Sequence, residues 1–251
     1  MSAPRIYQPF PLAVQSVLKL DENASHHLAR VLRAKIGDSL VIFNGQGGEY
    51  SAIITHIDKK NVEVKMETFL PREAESPLKI HLAQGIARGE KMDFIIQKAV
   101  ELGAASIIPL ITERCNVRLD NEREAKRLQH WQSVIISACE QSGRNRLPEI
   151  ESPRLLKSFL PQVKADYRFV LTPHVDKKMT AHISRNASIV LLIGPEGGLS
   201  DEEVDSAIKN GFIPLNLGPR ILRTETAPLA AIATLQARYG DFNEEVSSIS
   251  D

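Results

Sequence analysis

The sequence is poor in cysteine, and its two cysteines, Cys115 and Cys139, lie far apart and form no CxxC pair. A disulfide-built fold and a zinc ribbon are therefore excluded, and this usage is typical of a reducing compartment. No run approaches the ~18 apolar residues of a membrane span, and the first twenty residues lack the long apolar stretch of a signal peptide. These absences predict a cytoplasmic protein.

The chain also lacks an excess of either charge, because 31 Lys and Arg residues stand against 31 Asp and Glu residues. A zero net charge gives no general argument for nucleic acid binding, so any such surface must depend on local basic patches. What is present is ordinary for a folded globular protein, with 43% hydrophobic and 25% charged residues among 251. This length permits one large domain or two modest ones.

The first part of the chain, residues 1–71, has the pattern of a small β domain. The runs Leu40–Phe43, Glu49–Ile54 and Val62–Met66 predict strands, the first two joined by a glycine-rich turn. Ser25–Arg33 has apolar residues at helical spacing and predicts a short amphipathic helix.

Residues 72–77 are polar and bounded by prolines, and we interpret them as a linker. Strands and helices then alternate over residues 78–243, which predicts an α/β domain with a parallel sheet, and residues 244–251 form a polar tail. The predicted strands are Lys79–Ala83, Ile107–Ile111, Arg168–Leu171, Ile189–Ile193 and Ile213–Leu217. The predicted helices are Lys91–Leu102, Asn121–Gln141, Asp201–Lys209 and Pro228–Arg238.

The glycine-rich segment Gly194–Gly198 follows the apolar strand Ile189–Ile193 and precedes a helix. Ser200 and Glu203 have the spacing of a capping box, which predicts that this helix begins at Asp201. Ligands of open α/β sheets bind at the carboxyl ends of the strands, where this segment lies.

The residues narrow the choice of ligand for this segment. Neither the P-loop lysine nor the G-x-G-x-x-G spacing of a dinucleotide fold is present. Glu196 and the carboxylates at 201–203 disfavour a polyphosphate and favour a ligand with a cationic centre, such as S-adenosylmethionine. A tight strand–helix turn that binds no ligand is an equally good interpretation of the residues alone.

A second segment, Leu217–Ala227, also lies between a strand and a helix. Thr224 or Thr226 is a candidate N-cap for that helix. Arg223 has two interpretations: a solvated surface cation, with Glu225 as its partner, or a group that binds phosphate or polarises a base.

These two segments together carry a specific resemblance. GPEGG at 194–198 followed by LGPRILRTETA at 217–227 resembles the SPOUT superfamily of knotted methyltransferases. Within it, the chain resembles the bacterial enzymes that methylate N3 of a uridine in small-subunit (16S) ribosomal RNA. The likeness extends to ARGEKM at 87–92, KAVELG at 98–103, CEQSGR at 139–144, His27-Leu28, Val31–Arg33 and Asn44-Gly45.

The resemblance implies a SPOUT-type, trefoil-knotted α/β methyltransferase domain preceded by a small PUA-like β-barrel that helps to hold RNA. It implies S-adenosylmethionine as the cofactor and 16S rRNA or the small ribosomal subunit as the partner. It further implies a homodimer with the active site near the subunit interface. No cluster of histidine, cysteine and carboxylate residues suggests a metal.

The cofactor contacts implied by the resemblance come from three loops: Leu171, Thr172, Pro173, Gly194, Pro195, Glu196, Gly197, Leu217, Gly218, Ile221, Leu222, Arg223, Thr226 and Ala227. Arg223 is the first catalytic candidate, in an electrostatic role. Glu140 is a second candidate, as the proton acceptor, with a carboxylate on a helix surface as the alternative. The candidate RNA-binding residues are Arg30, Arg33, Arg88, Lys91 and Arg144, for each of which a solvated surface charge is the alternative.

Two other functions remain to be compared with this one. A non-catalytic RNA-binding module could keep the same fold, but it would not need both glycine-containing segments intact. A nucleotide-dependent kinase or hydrolase is disfavoured, because the P-loop lysine is absent.

Overall fold

The computed structural model describes residues 3–58, 61–115, 121–173 and 183–242. The chain divides into two compact units, Met1–Glu75 with Ile136–Leu147, and Ser76–Ile135 with Pro148–Asp251. The first boundary falls within the predicted linker, whereas residues 136–147 are grouped with the first unit. The predicted tail at 244–251 lies outside the described residues.

The first unit contains a mixed five-stranded sheet in the order β1-β3-β4-β5-β2. Its strands are β1 (Arg5–Tyr7), β2 (Val17–Lys19), β3 (Ser39–Phe43), β4 (Glu49–Ile57) and β5 (Val62–Leu70). β1 pairs with β3 in parallel, and the other pairings are antiparallel. Alternate residues of the central strands, among them Leu40, Ile42, Ile54, Val62 and Val64, form the buried core.

The predicted helix Ser25–Arg33 differs in the structure. Helix α1 (Glu22–His26) begins earlier, because the Asp21 side chain accepts a hydrogen bond from the Ala24 amide at 2.9 Å. A π-helical turn, His27–Val31, follows it, and Arg33 then adopts a φ of 53°. The residue pattern predicts a helix here but does not reveal the wider turn.

The second unit contains a parallel sheet in the order β12-β10-β11-β6-β7-β8, with β9 also paired to β7. The strands are β6 (Lys79–Gly85), β7 (Ala104–Ile111), β8 (Glu149–Ile150), β9 (Arg154–Leu155), β10 (Tyr167–Leu171), β11 (Ser188–Ile193) and β12 (Ile213–Leu215). The helices are α2 (Glu90–Glu101), α4 (Leu156–Phe159), α5 (Asp201–Lys209) and α6 (Thr226–Tyr239), together with the part of α3 (Asn121–Ser142) that ends at Ile135. All pairings in this sheet are parallel, which confirms the predicted α/β class.

Burial explains why the strands and helices of this unit could be predicted from the hydrophobic pattern of the sequence. β11 lies between β10 and β6, and all but its first residue are buried, as an uninterrupted apolar run predicts. Helix α2 buries one face, formed by Met92, Ile95, Ile96, Ala99 and Val100, which are the apolar residues at helical spacing.

The two helices that follow the glycine-containing segments begin in different ways. Ser200 and Glu203 form the predicted capping box at the start of α5. At α6, by contrast, the N-cap is Glu225, and it makes no side-chain capping bond. The prediction that Thr224 or Thr226 caps α6 is therefore wrong.

No helix in the described part of the chain combines the length and apolarity needed to cross a membrane. Within the same residues, no three histidine, cysteine or carboxylate side chains are grouped so as to hold a metal ion.

Candidate functional site

A cavity of about 440 Å³ lies in the second unit at the carboxyl ends of three neighbouring parallel strands. The loops after β10, β11 and β12 form its walls, because parallel strands end at the same edge of a sheet. All of the predicted cofactor contacts line this cavity except Gly218 and Thr226. The structure thus brings together three segments that are far apart in sequence.

The loop after β11, residues 194–199, folds back tightly on itself. A Cβ atom on Gly194 would lie 2.7 Å from the backbone carbon of Gly198 and the backbone nitrogen of Leu199. Gly198 has a φ of 70°, a conformation that L side chains rarely adopt. Glycine at these two positions is what allows the backbone of the loop to form one wall of the cavity.

Below the cavity, a buried hydrogen-bond network joins two of the loops. The Thr224 hydroxyl donates to the Gly194 carbonyl at 2.9 Å. Gln84, fully buried near the end of β6, directs its Nε2 to the same carbonyl at 3.1 Å and to Thr224 Oγ1 at 3.3 Å. Since these groups are shielded from water, the network fixes the separation of the two loops.

Arg114 lines the cavity but was not predicted from the sequence. It follows β7, and its Nη1 donates to the carbonyl oxygens of Gly197 at 3.0 Å and Leu199 at 3.3 Å. Arg114 therefore holds the glycine loop from a fourth segment. No motif surrounds it, so only the position after a parallel strand could have indicated it.

The charges around the cavity differ from those expected. Glu203 does not line it, because its carboxylate caps Ser200 and accepts a hydrogen bond from the Glu113 amide at 2.8 Å. The cavity instead carries both signs, and its charged lining residues are Arg114, Arg220, Arg223, Glu196 and Asp201. The expectation that acidic side chains dominate the surroundings of the ligand is therefore wrong. A zwitterionic ligand with a carboxylate and cationic groups, as S-adenosylmethionine has, fits such a lining.

Arg223 is exposed and lines the cavity. Its carbonyl oxygen accepts hydrogen bonds from the amides of Thr226 and Ala227, both at 2.9 Å, which fixes its backbone at the start of α6. The expected pairing of Arg223 with Glu225 is not what the structure shows, because Glu225 Oε2 lies 3.8 Å from Lys91 Nζ.

Two other candidate RNA-binding residues, Arg88 and Lys91, lie beside the same loops. The Arg88 amide donates to Glu196 Oε1 at 3.0 Å, and Lys91 Nζ lies 3.6 Å from that oxygen. The side chain of Arg88 is exposed, whereas Lys91 lies between two carboxylates.

In the first unit, Arg30 and Arg33 are exposed, as a role in RNA binding requires. Arg144 is placed differently, because its side chain is only 5% exposed and its Nε donates to Glu75 Oε1 at 2.8 Å. A buried, paired guanidinium is not presented to an RNA phosphate, so the structure corrects the expectation for Arg144.

Glu140 also belongs to the first unit, and its Oε1 accepts a hydrogen bond from the Tyr7 amide at 3.0 Å. Burial raises the pKa of the Glu140 carboxyl, and the hydrogen bond from Tyr7 opposes this shift. The Glu140 carboxylate is therefore partly buried and fixed by a hydrogen bond, rather than fully solvated on a helix surface.

Comparisons with known proteins agree with this geometry. A family model described as an RNA methyltransferase domain matches residues 74–236, and one described as an RNA methyltransferase PUA domain matches residues 20–67. Ribosomal RNA small subunit methyltransferase E from Buchnera aphidicola (subsp. Schizaphis graminum) is 40% identical over 244 residues, covering 96% of this chain and 98% of the relative. The protein of the same name from Bacillus subtilis is 30% identical over 219 residues, covering 84% and 86%.

Two solved structures are similar over nearly the whole chain. One is a putative methyltransferase from Legionella pneumophila in complex with the bound cofactor SAM, with a TM-score of 0.93, 45% identity, and coverage of 96% of this chain and 100% of that one. The other is a ribosomal RNA small subunit methyltransferase E from Neisseria gonorrhoeae bound to S-adenosyl methionine, with a TM-score of 0.89, 39% identity and the same coverage.

Both parts of the chain match models named for RNA methyltransferases, and the relatives from B. aphidicola and B. subtilis align over 98% and 86% of their length. The protein therefore belongs to the RNA methyltransferase family that includes ribosomal RNA small subunit methyltransferase E, and it carries the PUA domain of that family.

Proposed function

We propose that this protein is an S-adenosylmethionine-dependent methyltransferase that modifies N3 of a uridine in 16S rRNA. The observation that carries the proposal is the mixed-charge cavity built by the three predicted loops. Similar proteins from L. pneumophila and N. gonorrhoeae were crystallised with the same cofactor. The choice of uridine N3 rests on the resemblance of the paired motifs.

The cofactor supplies an electrophilic methyl group when it is bound. This chain contributes a preformed cavity to cofactor binding. Gly194 and Gly198 allow the backbone of the loop after β11 to fold back closely on itself. Arg114 and Gln84 hold the loops in place through hydrogen bonds. A preformed cavity lowers the ordering cost of binding and orients the reacting groups.

The target nitrogen imposes further requirements on the protein. N3 of uridine carries a proton and is a poor nucleophile until that proton leaves. The base must also leave any stack, and the negative charge that spreads to O2 and O4 must be stabilised. We assign the electrostatic role to Arg223, because it is exposed at the cavity and its backbone is fixed at the start of α6.

Glu140 is the proposed proton acceptor. Burial raises the pKa of its carboxyl, and a higher pKa makes an ionised carboxylate a stronger base near neutral pH. One of its oxygens is already hydrogen-bonded to the Tyr7 amide, which holds the carboxylate in one orientation.

For the RNA we assign Arg30 and Arg33 in the PUA domain and Arg88 in the second unit, since all three are exposed. We include in the proposal the features implied by the resemblance, namely a trefoil knot, a homodimer with the active site near the subunit interface, and a cytoplasmic location.

Mass-spectrometric mapping of 16S rRNA from cells that lack the protein tests this function. We expect one uridine to lose its N3-methyl group, and we expect the wild-type gene to restore it. Restoration should fail with an Arg223→Ala variant. An unchanged modification pattern in the deletion strain, or loss of a methyl group from a base other than uridine, would contradict the proposal.

A further inference from the structure

One lysine faces carboxylates from both glycine-containing loops. Lys91 lies in the first turn of α2, and its Nζ is 3.6 Å from Glu196 Oε1 and 3.8 Å from Glu225 Oε2. Glu196 belongs to the loop after β11, and Glu225 to the segment after β12. A single ammonium group is therefore within ion-pair distance of two of the loops that form the cavity.

The negative charge of Glu225 needs compensation by Lys91 more than the charge of an exposed carboxylate would. Its Oε2 is buried and accepts no hydrogen bond from any described residue. Although Glu225 is the N-cap of α6, its side chain makes no capping bond there. A buried carboxylate oxygen without a hydrogen bond is costly unless a positive charge compensates it, and Lys91 supplies that charge.

Glu196 also contacts the start of helix α2. Its Oε1 accepts a hydrogen bond from the Arg88 amide at 3.0 Å, and the same oxygen is the one nearest to Lys91 Nζ. Gly89, with a φ of 58°, makes the turn that places Arg88 and Lys91 on either side of the start of α2. The start of this helix thus meets both loops.

We propose that Lys91 is a positioning residue for the cofactor cavity. Its ammonium group holds Glu196 and Glu225 together and so fixes the distance between the two loops, in addition to the hydrogen bonds of Gln84 and Thr224. This role replaces the RNA contact expected for Lys91 from sequence, and it rests on the proposed function, since the cavity must bind S-adenosylmethionine.

Removal of the charge has a defined consequence. In Lys91→Met, the carboxylates of Glu196 and Glu225 lose the cation that they share, so their repulsion is no longer compensated and the two loops are held together less firmly. The affinity for S-adenosylmethionine then falls, whereas turnover at saturating cofactor changes less, so KM for the cofactor rises more than kcat falls. Lys91→Arg keeps the charge and should restore the affinity.

The chain offers a matched control on the same helix. Lys98 forms an ion pair with Glu101, at 2.7 Å, within α2 itself. Lys98→Met therefore removes an equal charge and an ion pair that involves neither loop.

Calorimetry with S-adenosylmethionine tests the proposal on the full-length protein. We expect Lys91→Met to weaken binding about tenfold, the size of ordinary coupling between contacting charges, and Lys98→Met and Lys91→Arg to stay close to wild type. Lys91→Met combined with Glu225→Gln should bind more tightly than Lys91→Met alone, because the uncompensated charge is gone. Binding of a 16S rRNA fragment without cofactor should be unchanged in Lys91→Met.

Two results would overturn the proposal. One is wild-type cofactor affinity in Lys91→Met, and the other is a loss of RNA affinity as large as the loss of cofactor affinity, which would restore the RNA contact. If Lys91→Met is poorly folded, Glu225→Gln gives a second test, because Glu225 pairs with Lys91 but does not line the cavity. Weaker cofactor binding in this variant supports the proposal, and wild-type affinity overturns it. If wild-type protein does not bind S-adenosylmethionine at all, it is the proposed function that fails.

Discussion

Two sets of arginines, one in each unit, lie in opposite surroundings. In the first unit, Arg144 is buried and pairs with Glu75, and Arg5 and Arg72 both approach the carboxylate of Glu49. In the second unit, Arg220 and Arg223 are exposed at the cavity, and no carboxylate of a described residue lies within 4.0 Å of either guanidinium. Removal of an arginine that is paired inside a fold leaves its partner charge buried and uncompensated, whereas an arginine held at a cavity is available to a ligand.

Arg144→Ala should show the largest effect, and it should be an effect on stability. Loss of the guanidinium leaves Glu75 in a partly buried site without its partner, which costs about 3–5 kcal/mol. Urea denaturation followed by circular dichroism measures this loss. Arg146→Ala is the control, because its pair with Glu73 is exposed and exposed pairs contribute ~0–1 kcal/mol. Equal losses in the two variants would contradict the difference in burial.

Arg223→Ala should show the reverse behaviour, with a large effect on catalysis and a small one on stability. Loss of a donor that stabilises developing charge lowers kcat by about 10²–10³-fold, or about 3–4 kcal/mol. Transfer of a radiolabelled methyl group to 16S rRNA measures kcat, and the melting temperature should stay close to wild type because the side chain is exposed. If turnover is unchanged, Arg223 has no part in the mechanism. The exposed arginine at the cavity would then have no catalytic role to set against the structural role of Arg144.

Gly194→Ala tests the cavity wall itself. The added Cβ would meet backbone atoms at 2.7 Å, and such overpacking costs about 1–3 kcal/mol. Calorimetry should also show loss of S-adenosylmethionine binding, because the loop must open to fit the methyl group. Gly198→Ala is the variant for comparison: no atom lies within 4 Å of its added Cβ and only the positive φ opposes the change, so we expect a smaller loss of cofactor affinity than in Gly194→Ala. Cofactor affinity equal to wild type in Gly194→Ala would be inconsistent with the described loop.

For Glu140→Gln we expect, besides the loss of the proposed proton acceptor, a small change in stability that depends on pH. Burial raises the pKa of Glu140 in the folded protein above its unfolded value of 4.5, so the protonated form is favoured by folding. The preference for the protonated form contributes stability that is fully present below the pKa of Glu140 in the unfolded chain. This stability is lost as the pH rises through the pKa of Glu140 in the folded protein. The stability of the variant relative to wild type should therefore increase as the pH rises above 4.5, as measured by urea midpoints at a series of pH values. A stability difference that does not vary with pH would contradict the raised pKa.

The long periodic elements could be predicted because one pattern dominates each of them. The uninterrupted apolar run of β11 and the apolar face of α2 specify burial without help from distant residues, and Ser200 with Glu203 marks the start of α5. The strands β8 and β9 have two residues each, which is too short for any periodicity to appear.

The candidate site could be predicted only in part. The three loops follow strands, and both the rule for parallel sheets and the family resemblance indicated them. Gln84, Arg114 and Lys91 act on these loops from segments about 80 to 140 residues away in sequence, and no local pattern reveals such contacts. The prediction for Arg144 was wrong for the same reason, because its partner Glu75 is distant in sequence and no local pattern indicates their ion pair.

The order of strands at the cavity also affects how the chain folds. β12 pairs only with β10 at the end of the described sheet, and the segment that follows it supplies one wall of the cavity. A chain interrupted before residue 213 would leave the edge of β10 unpaired, and such an edge invites intermolecular strand pairing. Such a chain also lacks one wall of the cavity, so we expect the truncated polypeptide to aggregate rather than to fold into a weakened enzyme.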